Sequence, residues 1–291
     1  MKTSLNNLIF EYQLEINYNT EENQKLYTGL SKLDFATNGF SRGSLNIIAA
    51  RQGNGITSFK NTLLNELKLK TIIISKNNAN KFLHSLLSHK SGVSKQKIQH
   101  KFFQEGEFMH LNESFNEIQN LPIFIKKKKK LTLDFLKAYL LNNEVVDCLI
   151  IEDLDSFLEK EKILFKGLKE LAQKNNIVLI CFYELKEVAS CNPYLEINPS
   201  ISDFKNSFSL PNTMKVIDNF VCIWRPELYN IPRFHKTKKS TGGKAEISIY
   251  KKEEQIPKNI IVGFSGRKNI FYDLENYENL NWVEKLKVLN S

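Results

Sequence analysis

A strand, glycine loop, helix and strand near the amino terminus constrain the fold of this chain more than any other feature. The unit consists of an apolar run, a glycine-bearing loop, a segment with helical apolar spacing and a second apolar run, at residues 44–50, 50–57, 58–68 and 71–75. Apolar runs without alternation are typical of strands buried on both faces. Because strands joined by a crossover helix run parallel, the unit predicts a parallel sheet.

The same alternation continues along the chain. Further strand-like runs are at 121–125, 145–151, 177–185, 220–225, 245–251 and 260–265. Helical spacing is found at 77–99, with a break near Gly92, and at 131–143 and 163–176. This order predicts an α/β fold with a mostly parallel central sheet flanked by helices. The strands at 245–251 and 260–265 are expected to form a C-terminal antiparallel hairpin.

Composition indicates a folded domain rather than a disordered or membrane-spanning chain. The 291 residues are 42% hydrophobic and 25% charged, and no apolar stretch reaches the length of a membrane helix. The first residues lack the apolar core of a signal peptide, so we expect a cytoplasmic protein. Four cysteines are scattered without a Cys-x-x-Cys pair, at Cys148, Cys181, Cys191 and Cys222. We therefore expect buried thiols rather than a zinc site.

The chain carries a net charge of +9, from 41 Lys and Arg against 32 Asp and Glu. A basic surface favours phosphate-rich partners, but a Lys-, Asn- and Ile-rich composition produces the same excess without one. Five consecutive lysines, Lys126–Lys130, follow a strand-like run. They form either a solvated loop at a strand end or a phosphate contact, because parallel sheets bind ligands at the carboxyl ends of their strands.

The glycine loop has the spacing of a phosphate-binding P-loop. Ala50 and Gly55 stand at its first and second conserved positions, and Thr57 supplies the hydroxyl. The lysine position is occupied by Ile56. Main-chain amides at a helix N-terminus still attract an anion, but the charge that contacts the β- and γ-phosphates is missing. Glycine-rich turns between strand and helix are common, so the loop alone is weak support for a nucleotide site.

The residues around this loop resemble the RecA-like motor domain of DnaB-type replicative DNA helicases. Residues 28–57 are similar to that family almost position by position, with its Thr-Gly turn, Leu-Asp pair, two glycines, strand and Ala-Arg loop. Similar segments continue in order to about residue 275. The resemblance implies a RecA-like P-loop NTPase fold over residues 28–275, preceded by an arm or linker at 1–27 and followed by a tail at 276–291.

The resemblance also implies site residues. The nucleotide would contact Arg51, Gly53, Asn54, Gly55, Ile56, Thr57, Ser58, Glu152 and Glu184 of its own chain, and Lys251 would reach the γ-phosphate bound to the neighbouring subunit. Magnesium would be held by Thr57, Glu152 and Asp153, and DNA would contact Lys205 on a loop facing the ring centre. From the residues alone, Glu152 and Asp153 are either metal ligands or an ordinary acidic strand end. Arg51 is likewise either a phosphate contact or a surface residue. Trp224, Phe220 and Tyr183 are expected in the core.

Three positions depart from the family's catalytic set. Besides Ile56, Asn77 stands where the family has a catalytic glutamate, and Glu253 stands where it has an arginine finger. An arginine finger contributes about 10³- to 10⁵-fold to turnover, and a general base roughly 10²- to 10⁴-fold. Losing these groups together predicts a pseudo-ATPase, even allowing for non-additivity. ATP and Mg²⁺ are therefore implied by the family but are not required by these residues.

Three functions remain open from the sequence. The first is a replication-associated protein that binds single-stranded DNA, a helicase ring or both without fuelling translocation. The second is a non-catalytic scaffold or regulator that docks on an active helicase or on copies of itself through the arm at 1–27. No segment resembling the family's primase-interacting domain precedes the motor domain, so recruitment of primase by that route is not expected. The third is a working helicase in which Lys126–Lys130 replace the missing P-loop charge, which requires their strand to lie beside the P-loop strand.

Overall fold

The computed structural model describes residues 25–65, 67–142, 146–159, 161–186, 199, 202–204, 215–251, 257–266 and 268–274. Within these ranges the strands are β1 (Lys25–Leu26), β2 (Phe40–Ser41), β3 (Leu45–Arg51), β4 (Thr71–Ser75), β5 (Ile123–Lys127), β6 (Cys148–Ile151), β7 (Val178–Leu185), β8 (Asn219–Trp224), β9 (Lys244–Lys251), β10 (Lys258–Ser265) and β11 (Ile270–Tyr272). The helices are α1 (Ser31–Thr37), α2 (Ile56–Asn65), α3 (Ala79–Ser91), α4 (Lys95–His100), α5 (Glu105–Gln119), α6 (Leu133–Leu141) and α7 (Glu161–Lys174).

The large sheet has the order β11-β10-β9-β8-β3-β7-β6-β4-β5. Its strands from β8 to β5 are parallel, whereas β9, β10 and β11 run antiparallel to their neighbours. The predicted mostly parallel sheet and the antiparallel pairing of the two C-terminal strands are therefore confirmed. Strand β11 was not predicted, because three residues after a turn give too short a pattern to recognise.

The central strand β3 explains why the sheet has helices on both faces. All seven of its residues are buried, and successive side chains point to opposite sides. Ile48 and Ala50 pack in one core cluster with Phe59 of α2. Ile47 and Ala49 pack in a second cluster on the other face, which contains the buried apolar residues of α7. An apolar run without alternation thus indicates a strand that is buried on both faces of the sheet.

Several local predictions can be compared with the structure. The helical region breaks at Gly92, which adopts φ 69° and ends α3 in the left-handed conformation. Phe220, Trp224 and Tyr183 are buried as expected. Cys148, Cys181 and Cys222 are also buried and free, whereas Cys191 lies outside the described residues. Leu141, in the last turn of α6, is 76% exposed.

The ends of the domain lie partly outside the described ranges. Of the arm expected at 1–27, Lys25 and Leu26 pair with Ser41 and Phe40 as a two-stranded sheet, and residues 1–24 are not described. The tail at 276–291 is not described either. Among the described residues, no helix is long and apolar enough to cross a membrane.

Candidate nucleotide site

A cleft of about 610 Å³ opens at the carboxyl ends of the parallel strands. Its walls come from the loop after β3, the start of α2 and the ends of β4, β6 and β7: Gln52, Ile56, Thr57, Lys60, Lys76, Asn77, Glu152, Asp153, Asp155, Phe182, Tyr183, Glu184, Leu185 and Lys186. Parallel α/β sheets bind ligands at this edge, because their loops diverge there and helix N-termini point inward. The cleft is therefore the candidate site.

The loop between β3 and α2 has the backbone of a phosphate-binding turn. Gly53 has φ 79° and Gly55 has φ 99°, both in the left-handed region that side chains rarely adopt. A Cβ on Gly55 would also lie 2.7 Å from Cζ of Phe271, which covers the loop. The predicted strand–loop–helix arrangement is therefore present, and these glycines are required by its geometry.

Contacts within the protein hold the loop in shape. Asn54 is fully buried, and its Oδ1 accepts a hydrogen bond of 2.7 Å from the Arg225 main-chain N–H. Its Nδ2 donates to the Tyr229 hydroxyl at 2.9 Å. The Arg225 guanidinium donates to the Gly53 carbonyl at 3.3 Å and stacks 3.6 Å from the centre of the Phe264 ring. Side chains about 170 residues away in the chain thus fix the conformation of the loop.

The first turn of α2 presents no positive charge to the cleft. Ile56 is partly buried and packs against the core cluster that contains Phe59. Thr57 is exposed and lines the cleft, whereas Ser58 is buried and its hydroxyl lies 3.5 Å from the Asn269 side-chain oxygen. The expected hydroxyl is therefore at the cleft, and the lysine position faces it with an apolar side chain.

A lysine that sequence reasoning missed lies one helical turn further along α2. Lys60 forms an ion pair with Glu152 at the end of β6, and the two side chains are only 12% and 10% exposed. Its ammonium also lies 5.4 Å from the centre of the Phe82 ring. Residues 56 and 60 share a helix face, because they are four positions apart. The positive charge absent at Ile56 is thus present deeper in the cleft, bound to a carboxylate.

A second lysine neutralises the neighbouring carboxylate. Lys76, which follows β4, pairs with Asp153, and this hydrogen bond raises the pKa of Lys76. Asp153 also accepts a hydrogen bond of 3.1 Å from the Asp155 main-chain N–H, which caps the 3₁₀ turn Leu154–Ser156. Burial, followed by the charge of Asp153, raises the pKa of Asp155. At the acidic end of β6, Glu152 and Asp153 are therefore each paired with a lysine.

Of the other predicted site residues, some line the cleft, two lie elsewhere, and two lie outside the described residues. Asn77 and Glu184 are exposed and line the cleft, and Glu184 lies opposite Ala50 in the strand register. Glu253 and Lys205 lie outside the described residues. The reading of Arg51 as a surface residue is wrong, because it is 3% exposed. Its guanidinium pairs with Asp203 at 3.3 Å instead of lining the cleft, because the alternation of β3 directs it to the opposite face of the sheet.

Lys251 lies near the amino-terminal ends of the parallel strands, whereas the cleft lies at their carboxyl ends. It pairs with Asn219 at the start of β8, and Asn219 pairs with Asn46 near the start of β3. The carboxyl end of β3 is five residues further on, about 17 Å along the strand direction. Lys251 is therefore unable to contact a nucleotide in the cleft of its own chain.

Lys126–Lys130 could replace the P-loop lysine only if their strand lay beside the P-loop strand β3, and it does not. Their strand, β5, is the edge strand and is separated from β3 by β4, β6 and β7. Four strand spacings correspond to about 19 Å. Lys126–Lys130 are therefore not placed to replace the P-loop lysine, and the lysine that approaches the cleft from α2 is Lys60.

The charges in the cleft do not fit a magnesium–nucleotide centre of the hydrolysing type. Magnesium in such sites is held by carboxylate, hydroxyl and phosphate oxygens, and both Glu152 and Asp153 already carry a lysine ammonium. In the described part of the chain, no three His, Cys, Asp or Glu side chains converge as a metal site.

Two named relatives are similar to this chain at low identity. The probable replicative DNA helicase of Guillardia theta is 24% identical over 224 residues, which are 70% of this chain and 37% of that protein. The replicative DNA helicase DnaB of Treponema pallidum (strain Nichols) is 23% identical over 207 residues, which are 65% of this chain and 46% of that protein. The chain thus spans less than half the length of either relative.

Solved structures share the fold. A DnaB-like replicative helicase, determined together with its interactions with primase, superposes with a TM-score of 0.72 at 19% identity, over 91% of this chain and 67% of that chain. A second solved structure, that of an ATPase domain, gives a TM-score of 0.72 at 18% identity, over 94% of this chain and 99% of that chain. The family model of the DnaB-like helicase C terminal domain matches residues 25–273. Together with the sheet order and the P-loop geometry, that match places the chain in the DnaB-like helicase C-terminal domain family.

Proposed function

We propose that this chain acts in DNA replication by binding single-stranded DNA, helicase subunits or both, and that it hydrolyses ATP negligibly. The observation that carries the proposal is the ion pair between Lys60 and Glu152. It places an ammonium group on the carboxylate that would otherwise serve the magnesium ion, while Ile56 leaves the phosphate position without charge. The helicase names of the relatives support the process, and the altered cleft supports the loss of turnover.

The size of the expected loss follows from the missing groups. Asn77 has an amide in place of a carboxylate and is unable to accept a proton from water, which removes roughly 10²- to 10⁴-fold in rate. The arginine finger that Glu253 would replace is worth about 10³- to 10⁵-fold. These factors are not additive, yet either one alone would reduce the median enzyme turnover of about 10 per second to about 0.1 per second or less.

ATP turnover with and without single-stranded DNA tests the proposal directly. We expect less than about 0.01 per second in both conditions, against an enzyme median of about 10 per second. An active DnaB-type helicase assayed in parallel controls for the reagents, and Ile56→Lys controls for the single missing charge. Turnover above about 1 per second in the unaltered chain would establish a working ATPase and contradict the proposal.

The position of Lys251 favours the part of the proposal that concerns assembly with helicase subunits. This lysine lies near the amino-terminal ends of the parallel strands, about 17 Å from the end of β3 along the strands. A nucleotide contact by Lys251 would therefore have to be made to another subunit. Mass measurement of the chain alone and mixed with a DnaB-type helicase distinguishes self-assembly from mixed assembly. A monomer under both conditions would contradict this role.

A further inference from the structure

Lys126–Lys130, here called the basic edge, form a charged surface that the nucleotide cleft leaves unused. All five side chains are exposed, and they extend from the last residues of the edge strand β5 into the loop after it. In the described part of the chain none of them makes an ion pair with a carboxylate. The basic edge therefore presents five positive charges that no described carboxylate neutralises.

The backbone of the basic edge is anchored to the sheet. The Lys128 N–H donates to the Ser75 carbonyl at 2.8 Å, and the Leu131 N–H donates to the Ser156 carbonyl at 2.8 Å. Two of the lysines also rest on aromatic rings of α6, with the Lys126 and Lys128 ammonium groups 5.7 Å and 4.6 Å from the centres of Tyr139 and Phe135. The charges are thus held on a fixed edge, which reduces the entropy lost when a ligand binds them.

An exposed aromatic ring lies beside these charges. Phe124 is 52% exposed on the same strand, two positions before Lys126, so the two side chains point to one face. The Lys70 ammonium lies 5.7 Å from the centre of the Phe124 ring. A cationic track beside an accessible ring is the combination that binds single-stranded nucleic acid, because lysines pair with phosphates and bases stack on the ring. An acidic protein would use the charges but not the ring.

We propose that the basic edge, together with Phe124, binds single-stranded nucleic acid. The inference deepens the DNA-binding part of the proposed function and rests on it, but it requires neither ATP nor an assembled ring. It also assigns the contact to residues of the edge strand β5 and the loop after it, rather than to Lys205, the residue assigned to DNA by resemblance.

Fluorescence anisotropy with a labelled single-stranded oligothymidylate, titrated at several salt concentrations, tests the site. The variant K126Q/K129Q/K130Q removes Lys126, which shares the face of Phe124, and two exposed lysines of the loop that follows β5. The matched control K236Q/K238Q/K239Q removes three exposed lysines from another loop. We expect the first variant to bind at least about 10-fold more weakly and its salt slope to fall by about 2, since each single-strand phosphate contact contributes about 0.7. The control should change affinity by less than about 3-fold.

The variant Phe124→Ala separates stacking from charge. Base stacking is worth about 1–3 kcal/mol by alanine substitution, so we expect roughly 5- to 150-fold weaker binding with an unchanged salt slope. Circular dichroism and thermal unfolding of every variant establish that the fold is retained.

Several outcomes would overturn the inference. Equal losses in the two triple-lysine variants would indicate a general charge effect, and no loss in the first would place the DNA contact elsewhere. Displacement of the oligonucleotide by polyglutamate as effectively as by unlabelled oligonucleotide would identify an acidic polymer as the occupant. No binding by the unaltered chain at low salt would remove the DNA-binding part of the proposed function as well, but leave the absence of turnover and the assembly role standing.

Discussion

The ammonium group of Lys60 pairs with the carboxylate of Glu152 across the cleft, one helical turn below Ile56. A helical side chain leans towards the N-terminus of its helix, so a lysine four residues later still extends towards the P-loop. The cleft therefore has no positive charge at the phosphate position, Ile56, and has one at Glu152, the position that would hold the metal. The contacts that hold the phosphate loop are kept, whereas the group that would hold magnesium is occupied.

The first prediction concerns the stability that this pair provides. Lys60→Met keeps the apolar stem but leaves Glu152 unpaired, and Glu152→Gln leaves Lys60 unpaired beside Phe82. Because both groups are largely buried, each single variant should lower the free energy of unfolding by about 2–4 kcal/mol. The double variant should recover part of the loss and give a coupling energy of about 1–3 kcal/mol in a double-mutant cycle measured by urea unfolding.

An exposed pair in the same chain is the control for this cycle. Lys166 and Glu170 lie four residues apart on α7, with side chains 75% and 64% exposed. Their cycle should give a coupling energy below about 0.5 kcal/mol, because exposed pairs on helices are screened by solvent. If the Lys60–Glu152 cycle gave an equally small value, the pair would be incidental to the cleft.

The second prediction is that dependence on magnesium returns only when both lysine positions are reversed. Ile56→Lys restores a charge-assisted hydrogen bond to phosphate worth about 1.5–3 kcal/mol, so it should tighten ATP binding about 10- to 100-fold. Glu152 remains paired with Lys60 in that variant, so its Kd should be similar in Mg²⁺ and in EDTA. The variant Ile56→Lys/Lys60→Met frees Glu152, and its Kd in Mg²⁺ should be at least about 10-fold lower than in EDTA.

Calorimetric titration of ATP into the three proteins, each with Mg²⁺ and with EDTA, measures this dependence. Lys166→Met, which removes an exposed lysine of α7, is the matched control and should leave both constants unchanged. A strong preference for Mg²⁺ in Ile56→Lys alone would mean that the Lys60 pair does not occupy the metal position.

The sequence predicted the fold well because the fold depends on a repeated pattern. Each parallel strand is an apolar run covered on both faces, and β3 and β4 carry this signal with every residue buried. Strand order is not encoded in such runs, since any apolar run pairs with any other. For this reason the sequence left open whether β5 adjoins β3. In the structure, three strands lie between them.

Residues that line the cleft were predicted where they occupy consecutive motif positions and missed where contacts join distant segments. Ile56, Thr57 and Glu152 follow from the strand–loop–helix pattern and the acidic strand end. Lys60 was missed because a lysine on an amphipathic helix is usually solvated, and its partner is 92 residues away. The one available signal was the spacing of four residues from Ile56, which puts both on the same face.

The third prediction concerns the clamp on the phosphate loop. Asn54→Ala would leave the partly buried Arg225 N–H without its acceptor, so the free energy of unfolding should fall by about 1–3 kcal/mol. Tyr229→Phe removes only the other hydrogen bond of Asn54 and should cost about 1 kcal/mol. Urea unfolding of both variants measures the difference. A loss below about 0.5 kcal/mol for Asn54→Ala would mean that the loop keeps its shape by other contacts.

The fourth prediction is a loss of stability in mild acid caused by His89. Burial near the end of α3 lowers the pKa of His89 from 6.5 to about 4, against a hydrogen bond to the Lys268 backbone that raises it. Between these two values the unfolded chain binds the proton and the folded chain does not, so stability falls as the pH is lowered through this window. From pH 7 to pH 5 the loss due to this group should be about 2 kcal/mol. His89→Gln has no titrating ring, so its free energy of unfolding, measured by urea at both pH values, should fall by about 2 kcal/mol less than that of the unaltered chain. Equal acid sensitivity in the two proteins would show that His89 is protonated as readily in the folded chain as in the unfolded one.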